Sequence, residues 1–121
     1  MASREAHGEP LRRIRHALEL WKVSGYVVWA DKHEIKRFLA KLDRKKYTKL
    51  KIQNLMYKHV CCSGGKVKEQ DSHEEDHYDA DVWYSIVLPI EQREVFIKFE
   101  IHPDEEDDPG IRIVSIHPPN K

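Results

Sequence analysis

The chain has 121 residues, a formal net charge of zero, and 35% charged against 40% apolar residues, which together indicate one globular domain over residues 1–121. No apolar run reaches the roughly 18 to 20 residues that a membrane span needs, and the first residues lack the apolar stretch of a signal peptide. These absences exclude a membrane-embedded chain and lead us to expect a cytoplasmic protein with no membrane partner.

The first half of the chain predicts helices separated by one short strand. Apolar residues recur at helical steps of three and four, and Gly25 follows the first such run as a helix stop. Residues 47–60 fit strand alternation as well as helical steps, and we predict a helix there. The four elements expected in this half are a helix over 10–23, a strand over 26–30, a helix over 32–43 and a helix over 47–60.

The second half predicts a loop followed by strands. Residues 63–81 are rich in Gly, Ser and acids and show no periodicity, so we expect a flexible acidic loop. Branched and aromatic residues then predict three strands in an antiparallel meander, over 82–90, 94–101 and 111–118. Helices first and strands afterwards indicate an α+β fold, with N-terminal helices packed on a C-terminal antiparallel sheet.

Alternation of side chains assigns faces within the predicted strands. In the strand over 94–101 it places Lys98 away from the apolar face, on the same side as Phe96. In the last strand it places Arg112 and His117 on opposite faces, and both faces carry apolar residues. Periodicity alone does not show which face of that strand is buried.

The two halves of the chain carry opposite net charges. Residues 1–60 hold 15 Lys and Arg against 6 Asp and Glu, whereas residues 61–121 hold 6 against 15. Nine of the cations fall between Lys32 and Lys51, a density that favours a polyanionic ligand such as nucleic acid. The alternative is a solvated face that pairs with the acidic half. The cations expected to contact the nucleic acid, all away from the apolar stripe of the second helix, are Arg37, Arg44, Lys45 and Lys46.

Neither a disulfide scaffold nor a cofactor site is indicated. Cys61 and Cys62 are adjacent, and a disulfide between neighbours is strained and closes almost no loop. Phosphate-binding glycine motifs and a nucleophile elbow do not occur in the sequence. The acidic loop offers an alternative, a set of candidate metal ligands. Its composition favours a solvated segment over an ordered ligand set, so we expect neither metal nor cofactor. Its candidate ligands are His73, Asp76, His77, Asp79 and Asp81.

The last strands resemble a known family. The segment VWYSIVLPIEQREVFIKFEI, followed by IRIVSIHPP, resembles the C-terminal half of the MqsR-type toxins, which are RelE-related messenger-RNA interferases of bacterial type II toxin–antitoxin systems. The shared features are a strand with Trp, a strand with an aromatic residue before Ile-Lys, and a last strand that ends in a basic residue. Upstream, Met56, Tyr57 and Lys58 are similar to a step that precedes the sheet in that family. The resemblance spans residues 50–118.

The resemblance implies a RelE/MqsR-like fold and an enzyme that cleaves RNA without a metal. Its substrate would be messenger RNA, free or on the ribosome, and a cognate antitoxin protein would neutralise it. The family's active-site lysine falls on Lys58, its strand aromatic on Phe96 and its terminal basic residue on His117. Tyr84 stands where the family has an amide side chain, and Phe96 lacks the hydroxyl of the family's tyrosine.

The residue types also suit this chemistry on independent grounds. Metal-free cleavage needs a base for the 2′-hydroxyl, an acid for the leaving 5′-oxygen and cations for the charge that grows on the phosphate. Histidine titrates near neutral pH, which makes His117 the best candidate for proton transfer. The candidate catalytic residues are Lys58, Tyr84, Lys98 and His117, and Phe96 and Arg112 join the candidate RNA contacts.

Two other functions stay open at this point. A non-catalytic RNA- or protein-binding module of the same fold is the first, because two of the matched polar positions differ from the family. A protein-interaction domain whose acidic half binds a basic partner is the second. Fold analogy does not separate these functions from catalysis, because activity depends on the site.

Overall fold

The computed structural model describes residues 4–24, 27–42, 47–71, 82–90, 92–101 and 110–118. Within these ranges the protein is α+β, with three helices and one six-stranded sheet. The elements are β1 (Arg4–Glu5), α1 (Gly8–Ser24), β2 (Val27–Trp29), α2 (His33–Lys41), α3 (Lys49–Tyr57), a π-helical segment (Lys58–Cys62), β3 (Lys68–Asp71), β4 (Val82–Ile90), β5 (Arg93–Ile101) and β6 (Ile111–His117).

The helices form where apolar residues recur on one side. Ile35 and Phe38 of α2 and Ile52 and Met56 of α3 are buried because the 3.6-residue period places each pair on one face. The Thr48 hydroxyl caps α3 by accepting the backbone N–H of Lys51 at 3.1 Å. None of the helices in the described part of the chain is long and apolar enough to cross a membrane.

The sheet is mixed, and its strand order is β1-β3-β4-β5-β6-β2. β2 pairs with β6 in parallel, whereas the other neighbours are antiparallel. The prediction of a purely antiparallel, C-terminal sheet was therefore wrong. The meander of β4, β5 and β6 is present as predicted, but β1 and β2 from the N-terminal half extend the sheet at its two edges.

The segment predicted as a loop over 63–81 contains β3. Lys68–Asp71 reads KEQD, which has no apolar alternation that would signal a strand. This segment is a strand because its backbone pairs with β4 on one side and β1 on the other, and Glu69 forms an ion pair with Arg4 of β1. Residues 72–81 lie outside the described part of the chain.

The apolar core contains residues from both the helices and the sheet. Buried residues of α1, α2 and α3 belong to the same hydrophobic cluster as buried residues of β4, β5 and β6. Burial of this cluster supplies the main driving force for folding. The fully buried strand residues in it are Ile90, Val95, Ile97, Phe99, Ile111 and Ile113.

A β-bulge at Val114 interrupts the alternation of β6. Lys98 pairs with Ser115, but the next residue of β5, Phe99, pairs with Ile113. Val114 is thus the extra residue on β6, and both Ile113 and Val114 are fully buried. Such a bulge redirects every side chain that follows it.

The bulge places Arg112 and His117 on the same face of the sheet. Glu100 pairs with Arg112, and Phe96 pairs with His117, and directly opposite residues share a face. Uninterrupted alternation predicts opposite faces for Arg112 and His117. That prediction was wrong because it does not allow for the extra residue between them.

Candidate functional site

One face of the central strands carries polar and aromatic side chains, and we name it the polar sheet face. Cross-strand pairing places its members side by side on β4, β5 and β6, on the side opposite the core residues of the same strands. Four of the predicted site residues lie here. The polar sheet face consists of Trp83, Ser85, Phe96, Lys98, Glu100, Arg112, Ser115 and His117.

Lys98 occupies the centre of the polar sheet face. It pairs with Ser85 on β4 and with Ser115 on β6, so a hydroxyl flanks it on each side. Its Nζ lies 5.2 Å from the centroid of the Trp83 ring, within the range of a cation–π interaction. Trp83 is buried and Lys98 is partly buried. The Lys98 ammonium therefore packs against a buried aromatic ring, while the Lys98 side chain remains partly exposed.

Glu100 is a fully buried acid on this face, and sequence reasoning did not assign it a role. Its Oε2 lies 2.9 Å from Nε of Arg112, so the two groups form an ion pair. Their relative orientation is not that of a hydrogen bond. The Arg112 side chain is 29% exposed. The buried carboxylate of Glu100 therefore fixes the buried Nε of Arg112, while part of the Arg112 side chain reaches solvent.

Lys32 brings a third cation towards Arg112 and Lys98. It is the third residue after β2, and the Ala30 N–H between them donates to the carbonyl oxygen of Ile113 at 2.8 Å. Burial lowers the pKa of the Lys32 ammonium below the usual lysine value, and the charges of Arg112 and Lys98 lower it further, against opposing effects of Glu34 and Glu100. Lys32 is therefore close enough to Arg112 and Lys98 to be affected by their charges.

His117 stands at the end of the polar sheet face, stacked on Phe96. The two ring centroids are 5.8 Å apart with an interplanar angle of 30°. Nδ1 of His117 lies 2.8 Å from the carbonyl oxygen of Pro118, and a carbonyl only accepts, so Nδ1 carries the proton. In the neutral ring Nε2 then holds the lone pair, which allows an exposed His117 to accept a proton.

Two predicted catalytic residues lie away from this face. Tyr84 is buried in the hydrophobic cluster on the opposite side of the sheet, where its ring stacks on Phe99 with centroids 5.9 Å apart. Lys58 begins the π-helical segment, which contacts α3 and α1, and its carbonyl accepts the N–H of Ser63 at 2.8 Å.

The predicted basic region is only partly described. Arg37 is exposed on α2, while Arg44, Lys45 and Lys46 lie outside the described residues. Two lysines of the same region border an apolar groove of about 350 Å³ between α2 and α3. The Lys36 ammonium pairs with Asp31 at 2.8 Å, and the Lys49 ammonium lies 5.7 Å from the centroid of the Trp29 ring.

The candidate metal ligands of the acidic loop, from His73 to Asp81, also lie outside the described part of the chain. Among the residues that the structure describes, no group of three or more His, Cys, Asp or Glu side chains is arranged to hold a metal ion. The donors on the polar sheet face itself are one carboxylate and one imidazole, and cations surround the carboxylate. This set suits anions better than metal ions.

The two adjacent cysteines, Cys61 and Cys62, differ in their burial. Burial raises the pKa of the Cys61 thiol to about 11, with the charge of Glu19 adding to the effect. The Cys61 thiol lies 3.6 Å from the carbonyl oxygen of Arg15 and donates to it. Cys62 is exposed. Both are free thiols, and Cys61 is a packed structural residue.

Comparison with protein-family models, with curated proteins and with solved structures finds no match for this chain.

Proposed function

We propose that the protein is a toxin-like, metal-independent endoribonuclease that binds RNA on the polar sheet face. The observation that carries the proposal is the position of Lys98 and His117 on one face of adjacent strands. A fixed cation and an imidazole that can exchange a proton with the reacting groups are what such cleavage requires. The resemblance of the last strands to MqsR-type toxins supports the same activity.

The proposed RNA contacts combine stacking with charge. Phe96 and His117 offer stacked rings at one end of the face, and aromatic rings bind single-stranded bases without strong sequence preference. Lys98 and Arg112 supply cations beside them for the phosphates. In this proposal the exposed Arg37 on α2 and the other cations of the basic region attract messenger RNA to the protein.

In the proposed reaction, Nε2 of His117 takes the proton of the 2′-hydroxyl. The 2′-oxygen then attacks the phosphorus, and the bond to the 5′-oxygen breaks. Lys98 stabilises the charge on the phosphate and gives a proton to the leaving 5′-oxygen. The products are a 2′,3′-cyclic phosphate and a 5′-hydroxyl. His117 then releases the proton that it gained to solvent, and Lys98 takes up a proton from solvent, so both side chains return to their starting states.

This catalytic set is smaller than the set predicted from the sequence. It omits Tyr84 because the Tyr84 ring packs in the core, and it omits Lys58 because that residue lies at the end of α3. The same positions favour the second candidate, a non-catalytic RNA-binding module of this fold. For the endoribonuclease, the proposal includes a cytoplasmic setting and a cognate antitoxin protein that covers the polar sheet face.

The test is incubation of the purified protein with single-stranded RNA in excess EDTA, followed by analysis of the RNA ends. The proposal predicts 2′,3′-cyclic phosphate and 5′-hydroxyl ends. Cleavage that EDTA abolishes and added metal restores would contradict the mechanism. Binding of RNA without cleavage would contradict the proposed enzymatic activity and favour the non-catalytic RNA-binding module.

A further inference from the structure

Two serine hydroxyls flank Lys98 on the polar sheet face. Lys98 of β5 pairs with Ser85 on β4 and with Ser115 on β6. Directly opposite residues share a face, and neighbouring strands lie about 4.8 Å apart. The three side chains therefore form one line across the sheet with the cation in the middle, and we name this line the hydroxyl row. Both serines are partly buried.

The bulge of β6 creates the hydroxyl row. Phe99 of β5 pairs with Ile113. Without the bulge, the next residue of β6, Val114, would lie opposite Lys98. The extra residue leaves Val114 fully buried and brings Ser115 opposite Lys98. Bulges are frequent beside active sites because they redirect side chains. Here the bulge replaces an apolar neighbour of Lys98 with a hydrogen-bond donor.

The hydroxyl row lies one step along the sheet from His117. His117 pairs with Phe96, two residues before Lys98 on β5, and two residues of a strand advance by about 6.7 Å. Because the side chains of Lys98 and His117 both extend from the same face, they can converge on one phosphodiester group. A phosphate above Lys98 therefore lies within reach of the group that takes the proton of the 2′-hydroxyl.

The proposed reaction needs hydrogen-bond donors besides Lys98. Negative charge grows on the two non-bridging oxygens of the phosphate, while Lys98 gives its proton to the leaving 5′-oxygen. The positive charge of Lys98 is thereby lost as the bond to the 5′-oxygen breaks. A serine hydroxyl donates a hydrogen bond without any change of charge, and donors fixed in place before the reaction stabilise such oxygens most effectively.

We propose that Ser85 and Ser115 contact the phosphate that is cleaved, each hydroxyl donating to one non-bridging oxygen of the group held above Lys98. The ligand is a phosphodiester group of single-stranded RNA. This inference deepens the proposed function and rests on it for the reaction. The binding of the phosphate depends only on the hydroxyl row.

The experiment measures single-turnover cleavage of saturating single-stranded RNA in excess EDTA, for wild type, Ser85→Ala, Ser115→Ala and the double variant. Loss of one donor is expected to lower the rate about tenfold, and loss of both about a hundredfold. Ser115→Thr keeps the hydroxyl and is expected to cleave at nearly the wild-type rate. The melting temperature should change little, because each Ala variant removes one oxygen atom from a partly buried side chain.

Ser63→Ala is the matched control, because Ser63 is an exposed serine that follows the π-helical segment, outside the polar sheet face. The control is expected to cleave at the wild-type rate. A wild-type rate in the double variant, or an equal loss in the control, would overturn the serine contacts and leave the nuclease standing. A rate in Ser115→Thr as low as that of Ser115→Ala would also overturn them.

A 2′-O-methyl RNA oligonucleotide separates failure of this inference from failure of the proposed function, since it has phosphates but no 2′-hydroxyl that can attack them. Its affinity for wild type and for the double variant is measured by fluorescence anisotropy. If wild type cleaves no RNA, the nuclease fails, and an affinity about tenfold lower in the double variant still supports the phosphate contacts. In that case, unchanged affinity in the double variant, or no binding by wild type, would overturn the contacts as well.

Discussion

The buried carboxylate of Glu100 and the guanidinium of Arg112 form an ion pair across β5 and β6, with Oε2 and Nε 2.9 Å apart. Glu100 is fully buried, whereas the Arg112 side chain reaches solvent. Loss of the arginine therefore costs more than loss of the acid, because only the acid is left without water.

This asymmetry gives a prediction for stability. Arg112→Ala leaves Glu100 buried and without its ion-pair partner, and we expect the free energy of unfolding in urea to fall by about 3 kcal/mol. Glu100→Gln combined with Arg112→Ala is expected to recover more than half of that loss. Equal destabilisation in the single and double variants would show that the pair is not coupled.

The basic region gives a prediction for RNA affinity. Replacing Arg37, Arg44, Lys45 and Lys46 together by Gln should weaken RNA binding and flatten its salt dependence, by about 0.7 in the log–log slope for each phosphate that the variant no longer neutralises. The melting temperature should change little, because Arg37 is exposed and none of the four belongs to the predicted apolar stripe.

The control for this quadruple variant is Arg12→Gln with Arg13→Gln on α1, where both guanidinium groups already pair with Glu9. RNA affinity measured over a salt series should be unchanged in the control. A quadruple variant with a lower melting temperature and wild-type RNA affinity would mean that the cations pair with the acidic half of the chain. It would then favour the protein-interaction function.

Sequence patterns predicted those helices and strands whose side chains show a regular apolar spacing. Strands β4, β5 and β6 are visible as runs of branched and aromatic residues, and α1 and α2 as apolar residues at helical spacing. β3 is not visible, because its KEQD sequence becomes a strand only through backbone pairing with its neighbours. The parallel pairing of β2 with β6 is likewise a tertiary contact that no local pattern encodes.

The candidate site was predicted in part, for a related reason. Lys98 was placed on the correct face because alternation in β5 is uninterrupted up to that residue. Arg112 and His117 were separated in the prediction because the bulge at Val114 adds one residue, and no residue type in IRIVSIH marks it. Glu100 was missed because an acid in an alternating strand is ordinarily exposed. No sequence pattern places it opposite Arg112, because that register is set by the pairing of β5 with β6.

The Cys61 thiol gives a prediction for pH dependence. Its pKa is raised from 9.0 to about 11 in the folded protein, so its protonation stabilises the fold fully below about pH 9, and that contribution is lost as the pH rises through about 11. At pH 8 its thiolate is about a hundredfold scarcer than that of an ordinary thiol.

Alkylation with iodoacetamide tests this prediction in the Cys62→Ser variant, where Cys61 is the single cysteine. Folded protein at pH 8 should react about a hundredfold more slowly than the same variant unfolded in urea, as followed by mass spectrometry. Equal rates in the two states would show that Cys61 is neither buried nor held as a thiol.

The most direct test of the proposed enzyme is the single-turnover cleavage rate of single-stranded RNA in excess EDTA, compared between wild type and His117→Ala. His117 is expected to act in proton transfer, so its loss should lower the rate by about 10² to 10⁴. His7→Ala, which removes an exposed histidine outside the polar sheet face, should cleave at the wild-type rate. A wild-type rate in His117→Ala would contradict the proposed mechanism.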